Sequence, residues 1–383
     1  MRLVDPTVCA LRRRLPAAAA AVALVTAPAA FAAEYERPID RSFDRAGLRS
    51  VELENLAGRV EIVGVEGGSV RVTGTVFAET SAGESARELG ESLQVEIDES
   101  GDRVTVRAVY PTAEHRRYHY PQGRKVEGEP SWLFDWLGDW SSSTRYQGRD
   151  VRITSEPSRG AATLWADFRL EIPTGVAVTA KNAVGAIDSR AVVGDQLLDT
   201  SSGPIWARQG RGELVADTGS GDVRIEDHEG GVNADTGSGD VTLERVKGDQ
   251  LAADTGSGDV ELVDCAGSVD ADTGSGDVVA RGLVAGRSLR ADTGSGDVRI
   301  DGNLSAVRHL DIDTGSGDVV LSLAGTPPSV RLAISTGSGE IDLDLDDVRI
   351  RRARRGDYLA ELAGGSGDGL IDTGSGDVRI TSR

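Results

Sequence analysis

The sequence predicts an all-β protein whose larger part is a single-stranded parallel β-helix, in which coils of chain stack along one axis. Three observations support this fold class. The phrase DTGSGDV recurs from Asp217 to Asp313 at intervals of 18 to 21 residues, a softened copy begins 22 residues later at Ser335, and a final copy begins at Asp372. Apolar residues stand at every second position on both sides of the glycines, which is the period of a β-strand. Intervals this short leave no room for crossover helices, so coils of about 18–22 residues are expected to stack in parallel.

Within each repeat, the phrase predicts two short strands joined by a tight corner. Thr218 and its equivalents have inward parity, so their hydroxyls are expected to bond to an amide of the turn. The two glycines are expected to supply the positive φ that a sharp corner requires. Asp217 and Asp222 have outward parity, and their carboxylates are expected to bond to nearby backbone N–H groups.

The repeats divide the chain into three parts. Residues 1–32 are predicted to be a signal peptide, residues 33–180 an irregular β portion, and residues 181–383 the β-helix of DTGSGDV repeats. Two segments interrupt this pattern, an aromatic-rich insertion at 110–150 and a basic insertion at 346–369. The interval of 37 residues before the last copy of the motif leaves room for one coil without it. Ser85–Leu93 is predicted to form one short helix.

The N-terminal segment has the three parts of a bacterial export signal. Arg12–Arg14 form a basic region, Leu15–Ala27 is a short apolar run, and Ala30-Phe31-Ala32 matches the small-x-small cleavage pattern. The apolar run is shorter than the ~20 residues that a membrane span needs. The mature protein is therefore expected to lack an integral span and to be periplasmic, displayed on the cell surface or secreted.

Composition narrows the range of partners. Removal of residues 1–32 leaves 38 basic and 61 acidic side chains, and a surface this acidic repels nucleic acid. Only Cys265 remains in the mature chain, so an internal disulfide cannot form. Partners are expected among the proteins or glycans of the cell envelope.

Stacking of the repeats would align the aspartates in two columns, which raises calcium as an alternative to purely structural corners. Like charges ~4.8 Å apart repel, and a divalent cation would relieve that repulsion. The calcium phrase of β-rolls, however, is G-G-x-G-x-D at a nine-residue period, and no other cofactor is expected. The calcium candidates are Asp217, Asp222, Asp235, Asp240, Asp254 and Asp259.

Catalytic residues are not predicted. His115 and His119 have metal-ligand spacing, but their segment HRRYHYP lacks the glutamate of zinc proteases, so a solvated loop is expected. His228 stands where Val246 and Cys265 stand in later coils, which indicates a structural role. The aspartates recur in every coil, whereas an active site would break the repeat.

The aromatic-rich insertion is the predicted partner-binding region. It holds about half of the aromatic residues of the mature chain next to basic ones, and such residue types dominate binding hot spots. The alternative is that its aromatic face packs against the flank of the β-helix as a small core. The candidate residues are Trp132, Trp136, Trp140, Tyr118, Tyr120, Arg116 and Arg117. The basic run Arg349–Arg355 is expected to balance charge inside an acidic molecule.

The repeated TGSGDV corners resemble the bacterial putative adhesin domain family, catalogued as a domain of unknown function. The segments VELENLAGRVEIVG (Val51–Gly64) and ADFRLEIPTGVAVTAKNAVGAI (Ala166–Ile187) carry the same resemblance. It implies an exported, right-handed, single-stranded β-helix and brings no catalytic residues with it.

The function that follows is non-enzymatic: an exported envelope or surface protein that binds or scaffolds in the manner of an adhesin. Two alternatives stay open. One is a sensing or regulatory partner in envelope-stress signalling, which the family resemblance also suggests. The other is a carbohydrate-active β-helix enzyme, a class that places acidic and basic side chains in a groove.

Overall fold

The structure is a computed structural model that describes residues 33–44, 47–80, 85–121, 141–345, 349–354 and 357–382. These ranges are almost entirely β, and the strands form one large, mostly parallel, hydrogen-bonded system that is not closed into a barrel. The predicted all-β class is confirmed. The signal peptide predicted at 1–32 lies outside the described residues.

Ten strands and one helix lie in the described ranges of the N-terminal portion. They are β1 (Ala33–Asp44), β2 (Ser50–Ala57), β3 (Val60–Val65), β4 (Ser69–Thr80), α1 (Ala86–Ser92), β5 (Gln94–Ser100), β6 (Arg103–Val109), β7 (Arg117–His119), β8 (Ser141–Tyr146), β9 (Arg149–Thr154) and β10 (Ala162–Pro173). Helix α1 lies where the sequence predicts it and begins at an N-cap, because the Ser85 hydroxyl accepts a hydrogen bond from the Glu88 N–H. No helix in the described ranges is both long and apolar enough to cross a membrane.

The repeat portion supplies the other strands. They are β11 (Ala177–Val184), β12 (Ile187–Arg190), β13 (Gln196–Ser202), β14 (Ile205–Arg208), β15 (Leu214–Thr218), β16 (Val223–Glu226), β17 (Val232–Thr236), β18 (Val241–Glu244), β19 (Lys247–Thr255), β20 (Val260–Val263), β21 (Ala266–Thr273), β22 (Val278–Thr293), β23 (Val298–Asn303), β24 (His309–Thr314), β25 (Val319–Leu323), β26 (Val330–Thr336), β27 (Ile341–Asp344), β28 (Arg349–Arg354), β29 (Asp357–Glu361), β30 (Gly367–Thr373) and β31 (Val378–Ser382).

The strands form two long ladders, here called the first wall and the second wall. The first wall runs in the order β5, β6, β2, β11, β13, β15, β17, β19, β21, β22, β24, β30, β26, β29, β28. The second wall runs in the order β1, β4, β10, β3, β12, β14, β16, β18, β20, β22, β23, β25, β31, β27. Equivalent residues of neighbouring repeats pair directly, as Ala216 does with Ala234. The right-handed sense of the coil stays a prediction.

The two walls enclose an apolar core. In the coil of Asp217, the side chains of Leu214, Ala216, Val223 and Ile225 are buried, and the corresponding positions of the later repeats repeat this pattern. Thr218 is buried among them at the corner. The alternation seen in the sequence is therefore the inside–outside alternation of the walls.

Close approach of the coils, rather than backbone conformation, explains most of the corner glycines. A Cβ built on Gly258 would lie 2.0 Å from the carbonyl oxygen of Gly239 in the preceding coil, and one on Gly256 would lie 2.5 Å from that of Gly237. Neither Gly256 nor Gly258 has a positive φ of the kind seen at Gly221. The expectation that the glycines supply positive φ is thus wrong for most repeats, because stacking leaves no space for a side chain.

The last copy of the motif is not the last coil. Strand β30 lies between β24 and β26, so Asp372 has Asp313 on one side and Ser335 on the other. Likewise, β31 lies between β25 and β27. The segment before Asp372 forms a hairpin, β28–β29, whose β29 pairs antiparallel with β26. The expected coil without a motif is therefore wrong, and the softened repeat at Ser335 is the terminal coil beneath a hairpin cap.

Regular stacking begins earlier than the predicted boundary at residue 181. Strands β2 and β3 form a coil that pairs in register with β11 and β12, although residues 66–176 separate β3 from β11 along the chain.

 The intervening residues 66–176 contain β4, α1 and the strands from β5 to β10. Strands β6 and β5 of this intervening segment cover the outer edge of β2, and β10 and β4, together with β1, which precedes β2 in the chain, cover that of β3. The irregular portion therefore closes the first coil, whose edges would otherwise be open to pairing.

Candidate functional site

The second aspartate of each repeat connects one coil to the next. The Oδ1 atom of Asp240 accepts a hydrogen bond from the backbone N–H of Asp259 at 2.9 Å, and that of Asp259 accepts one from Asp277 at 2.8 Å. The same bond recurs from Asp222 at one end of the series to Asp377 at the other. These carboxylates hold the stack together, as expected for a structural corner.

The corner threonine adds a second connection between coils. The Thr255 hydroxyl donates to the carbonyl oxygen of Gly239 in the preceding coil at 2.7 Å and accepts from the N–H of Gly258 at 3.1 Å. Equivalent bonds occur at Thr236 and Thr273. The expected bond between the hydroxyl and a turn amide is confirmed.

The first aspartate of each repeat has a different environment. Partial burial raises the pKa of Asp235, and the neighbouring Asp217 raises it further. The pKa of Asp254 is raised by partial burial and then by the carboxylates around it, Asp235 first among them. Partial burial likewise raises the pKa of Asp313, with Asp292 and Asp372 adding to the effect. Like charges therefore lie close together along this column and repel one another.

The calcium candidates therefore fall into two groups. Asp222, Asp240 and Asp259 already accept backbone hydrogen bonds, whereas Asp217, Asp235 and Asp254 follow one another along a ladder. Among the described residues, no group of three or more His, Cys, Asp or Glu side chains has an arrangement that could hold a metal ion. Calcium binding by these aspartates stays a hypothesis, which titration with calcium tests.

Two histidines belong to the interior. His119 is buried, and its ring nitrogens lie 3.1 Å from the Thr163 hydroxyl and 3.1 Å from the Ser155 carbonyl oxygen. Burial lowers its pKa, and burial also lowers the pKa of His228. The solvated loop expected around His119 is wrong, because β7 inserts between β9 and β10. The structural role expected for His228 agrees with its burial.

The predicted partner-binding residues separate into four sets. Tyr118 is 0% exposed, so its proposed place in a binding surface is wrong: its ring packs edge-to-face on Tyr110 in the core. Tyr120 is partly buried and packs on Trp165, with ring centroids 6.2 Å apart. Arg116 and Arg117 are exposed. Trp132, Trp136 and Trp140 lie outside the described residues.

A cleft near these elements is a candidate site. Its volume is about 680 Å³, and it lies where the β8–β9 hairpin approaches the outer face of the first wall at β2, β6, β11 and β13. The lining residues are Glu54, Asn55, Glu96, Arg107, Val109, Thr144, Arg145, Tyr146, Gln147, Lys181, Asn182, Ala183, Asp199 and Ser201.

Charges of both signs line the cleft. Arg107 pairs with Glu54 at 2.5 Å, and the Glu54 carboxylate raises the pKa of Arg107. Lys181 lies 3.1 Å from Glu52 at the rim. Burial raises the pKa of Asp199, Asp217 raises it further, and Lys181 opposes that rise. The cleft therefore offers fixed ionic groups of both signs to a ligand.

A polar network fixes the floor of the cleft. The Tyr146 hydroxyl donates to the Ala108 carbonyl oxygen at 2.6 Å, which anchors the hairpin to β6. Asn55 donates to the Asn182 side-chain oxygen at 3.1 Å, and both side chains are buried. Asn182 pairs in register with Thr200, so asparagine takes the threonine position in the first coils.

Sequence inspection missed this cleft, because its lining comes from strands that are distant along the chain. Two local signals were present. Lys181 is one of only three lysines in the sequence, and Asn182 replaces the corner threonine of later repeats. Both signals are departures from the repeat, and both residues line the cleft.

Comparison with known proteins places the repeat portion in a recognised group. The Toastrack DUF4097 family matches residues 176–381. A solved structure of a putative cell adhesion protein from Clostridium sporogenes aligns with 9% identity over 91% of this chain and 100% of its own, with a TM-score of 0.20. A putative lipid binding protein from Parabacteroides distasonis aligns with 12% identity over 89% of this chain and 96% of its own, with a TM-score of 0.32. No curated protein matches the sequence. Likenesses this remote carry no argument about function.

Proposed function

This chain belongs to the Toastrack DUF4097 family, a family of unknown function, and on that premise we propose that it is an exported, non-catalytic binding protein of the bacterial cell envelope. Its stacked coils serve as a rigid support. Its partner is another envelope protein, which binds in the cleft between the β8–β9 hairpin and the first wall.

The contrast between the coils and the cleft is the observation that carries this proposal. Along the coils, Thr255, Asp240 and their equivalents make their hydrogen bonds between stacked coils, and the corners repeat from one coil to the next. The cleft interrupts that regularity with a concave surface of about 680 Å³, whose lining includes charged side chains of both signs. Binding sites are commonly concave and hold a few fixed polar groups.

The lining of the cleft suits a protein segment. Arg107, Arg145 and Tyr146 belong to the residue types that dominate protein-binding hot spots. The fixed Arg107–Glu54 pair and the opposing Lys181 and Asp199 give a partner charges of both signs to complement. Among the described residues that line it, there is no histidine and no cysteine, and none is a nucleophile held against a base.

The test is a capture experiment with charge-reversed protein. A cleft variant, Lys181→Glu with Arg145→Glu, is compared with a control variant, Arg281→Glu with Arg299→Glu, which makes the same change in net charge on the second wall. Each immobilised protein is used to capture partners from envelope extracts, and the affinity of the captured protein is then measured. We expect the cleft variant to lose about tenfold or more in affinity and the control to keep it.

Two outcomes would contradict the proposal. Equal capture by the cleft variant and wild type would remove the cleft as the binding site. Release of products from envelope glycans by the wild-type protein, lost in the cleft variant, would instead support a carbohydrate-active enzyme.

A further inference from the structure

In the described part of the chain, the first wall ends in two strands that each have a pairing partner on one side alone. Within the described ranges, β5 pairs only with β6, and β28 pairs only with β29. Each strand thus presents a row of backbone N–H and C=O groups to whatever lies beyond it. Such edges pair readily with another strand unless something prevents it.

The two edges carry opposite charge. Strand β5 has the sequence QVEIDES, with Glu96, Asp98 and Glu99 all exposed. Strand β28 has the sequence RIRRAR, which contains four arginines in six residues, and its Ile350 is 47% exposed. The chain has a formal net charge of −20, so a strand this rich in arginine is unusual in it. This strand lies at the opposite end of the first wall from the acidic strand β5.

We propose that copies of this chain associate head to tail, with β5 of one copy pairing with β28 of the next. The first wall then continues from molecule to molecule. Two β5 edges would bring acidic strands together and two β28 edges would bring arginine-rich strands together, so a two-fold dimer through either edge is disfavoured. Joining unlike edges is a heterologous contact, which produces an open linear assembly.

The number of strands by which each wall extends beyond the coils permits this contact. Beyond its last coil strand β26, the first wall extends by β29 and β28, whereas the second wall ends at β27. At the other end, the first wall extends beyond β2 by β6 and β5, and the second wall extends beyond β3 by β10, β4 and β1. When β28 meets β5, β27 and β1 stand two strand spacings apart, about 10 Å. The second walls therefore do not collide.

The second wall lacks the same sorting of charge. Its edge strand β1 mixes acidic and basic residues in AEYERPIDRSFD, and its other edge, β27, carries Asp342 and Asp344. Asp342 already pairs with Arg379 of β31 at 3.3 Å. Association is therefore assigned to the first wall alone.

The experiment measures molar mass by sedimentation and light scattering over a range of protein concentrations. The acid-edge variant is Asp98→Lys with Glu99→Lys, and the basic-edge variant is Arg349→Glu with Arg351→Glu. We expect wild type to grow in mass with concentration and to dissociate between about 0.05 M and about 0.5 M NaCl, because salt screens exposed charge. Each variant alone should remain monomeric, and an equimolar mixture of the two should assemble again, since each then supplies the edge that the other needs.

The second-wall control, Arg281→Glu with Arg299→Glu, should associate as wild type does, and circular dichroism checks that every variant is folded. Association in the mixture shows that both variants are folded and able to pair. A variant that is monomeric because it misfolds is thereby distinguished from one that has lost the contact. A wild type that is monomeric at all concentrations, a closed dimer, or a mixture that stays monomeric would overturn the proposal. None of these substitutions lies in the cleft lining, so the result is independent of the function proposed above.

Discussion

At the scale of single residues, the two aspartates of DTGSGDV have opposite effects on the stack. Asp240 and its equivalents accept a hydrogen bond from the next coil. Asp235 and its equivalents form a column in which burial and neighbouring carboxylates raise the pKa. One phrase therefore contains a stabilising carboxylate and a destabilising one, five positions apart.

Substitution of each aspartate should change stability in opposite directions. Asp235→Asn removes a charge from the repulsive column, and we expect the melting temperature to rise by about 1–2 °C. Asp240→Ala removes the acceptor for the Asp259 N–H, and we expect a fall of about 2–3 °C. Thermal unfolding followed by circular dichroism measures both. A fall for Asp235→Asn would show that its carboxylate makes a stabilising contact.

The corner glycines allow a second comparison at this scale. Gly258→Ala places a methyl group against the Gly239 carbonyl oxygen, and we expect a loss of about 3 kcal/mol in the free energy of unfolding. Ser257→Ala changes an exposed side chain in the same corner, and we expect a change within about 0.5 kcal/mol. Denaturant unfolding of the two variants checks both values. Equal stability of the two would show that the coils can separate to admit a side chain.

Local sequence could predict the inward and outward faces of the strands but not every buried group. Leu214 and Ala216 alternate with polar neighbours, so their burial follows from the period of a strand. Tyr118 was misassigned because its burial depends on Tyr110 and on strands that only the folded chain brings together. The cleft was missed for the same reason, since Arg107 and Lys181 meet only through the pairing of β6, β2 and β11.

At the scale of elements, the end of the stack departs from chain order. Spacing alone favours the coil of Ser335 next to that of Asp313, yet the coil of Asp372 lies between them. All three share the TGSG corner, so their registers are interchangeable and spacing could not decide the order. The softened motif was the available signal, because terminal repeats of solenoids are atypical. Placing ISTGSGEI at the end leaves regular repeats on the inside.

Truncation tests this interchangeability. Removal of residues 364–383 deletes β30 and β31 but keeps β26, β27 and the β28–β29 hairpin. We expect this protein to stay folded and monodisperse at low concentration, because β26 can pair with β24 in the register that β30 uses. Truncation after Leu323 also removes the cap, and we expect aggregation from the exposed edges. Circular dichroism and light scattering measure both. If the protein that lacks residues 364–383 aggregates as much as the one truncated after Leu323, the coil of Asp372 is indispensable.

At the scale of the whole molecule, like charge runs along the axis of the stack. The first aspartates follow one another from Asp217 to Asp372, and arginine reaches only parts of the column, as Arg290 does beside Asp272 and Asp292. Repulsion within an exposed column is sensitive to ionic strength, because mobile ions screen it. These first aspartates are also the carboxylates at which calcium would bind under the alternative hypothesis.

Thermal unfolding in matched salts distinguishes screening from calcium binding. We expect sodium chloride to raise the melting temperature and calcium chloride at equal ionic strength to raise it by the same amount, since screening does not depend on a specific site. A site that binds calcium only in the folded state would instead give a saturable increase that exceeds the sodium effect. The matched control is Asp217→Asn with Asp235→Asn and Asp254→Asn, which should reduce the response to both salts. A saturable calcium effect in wild type that this variant lacks would show that the first aspartates form a metal site.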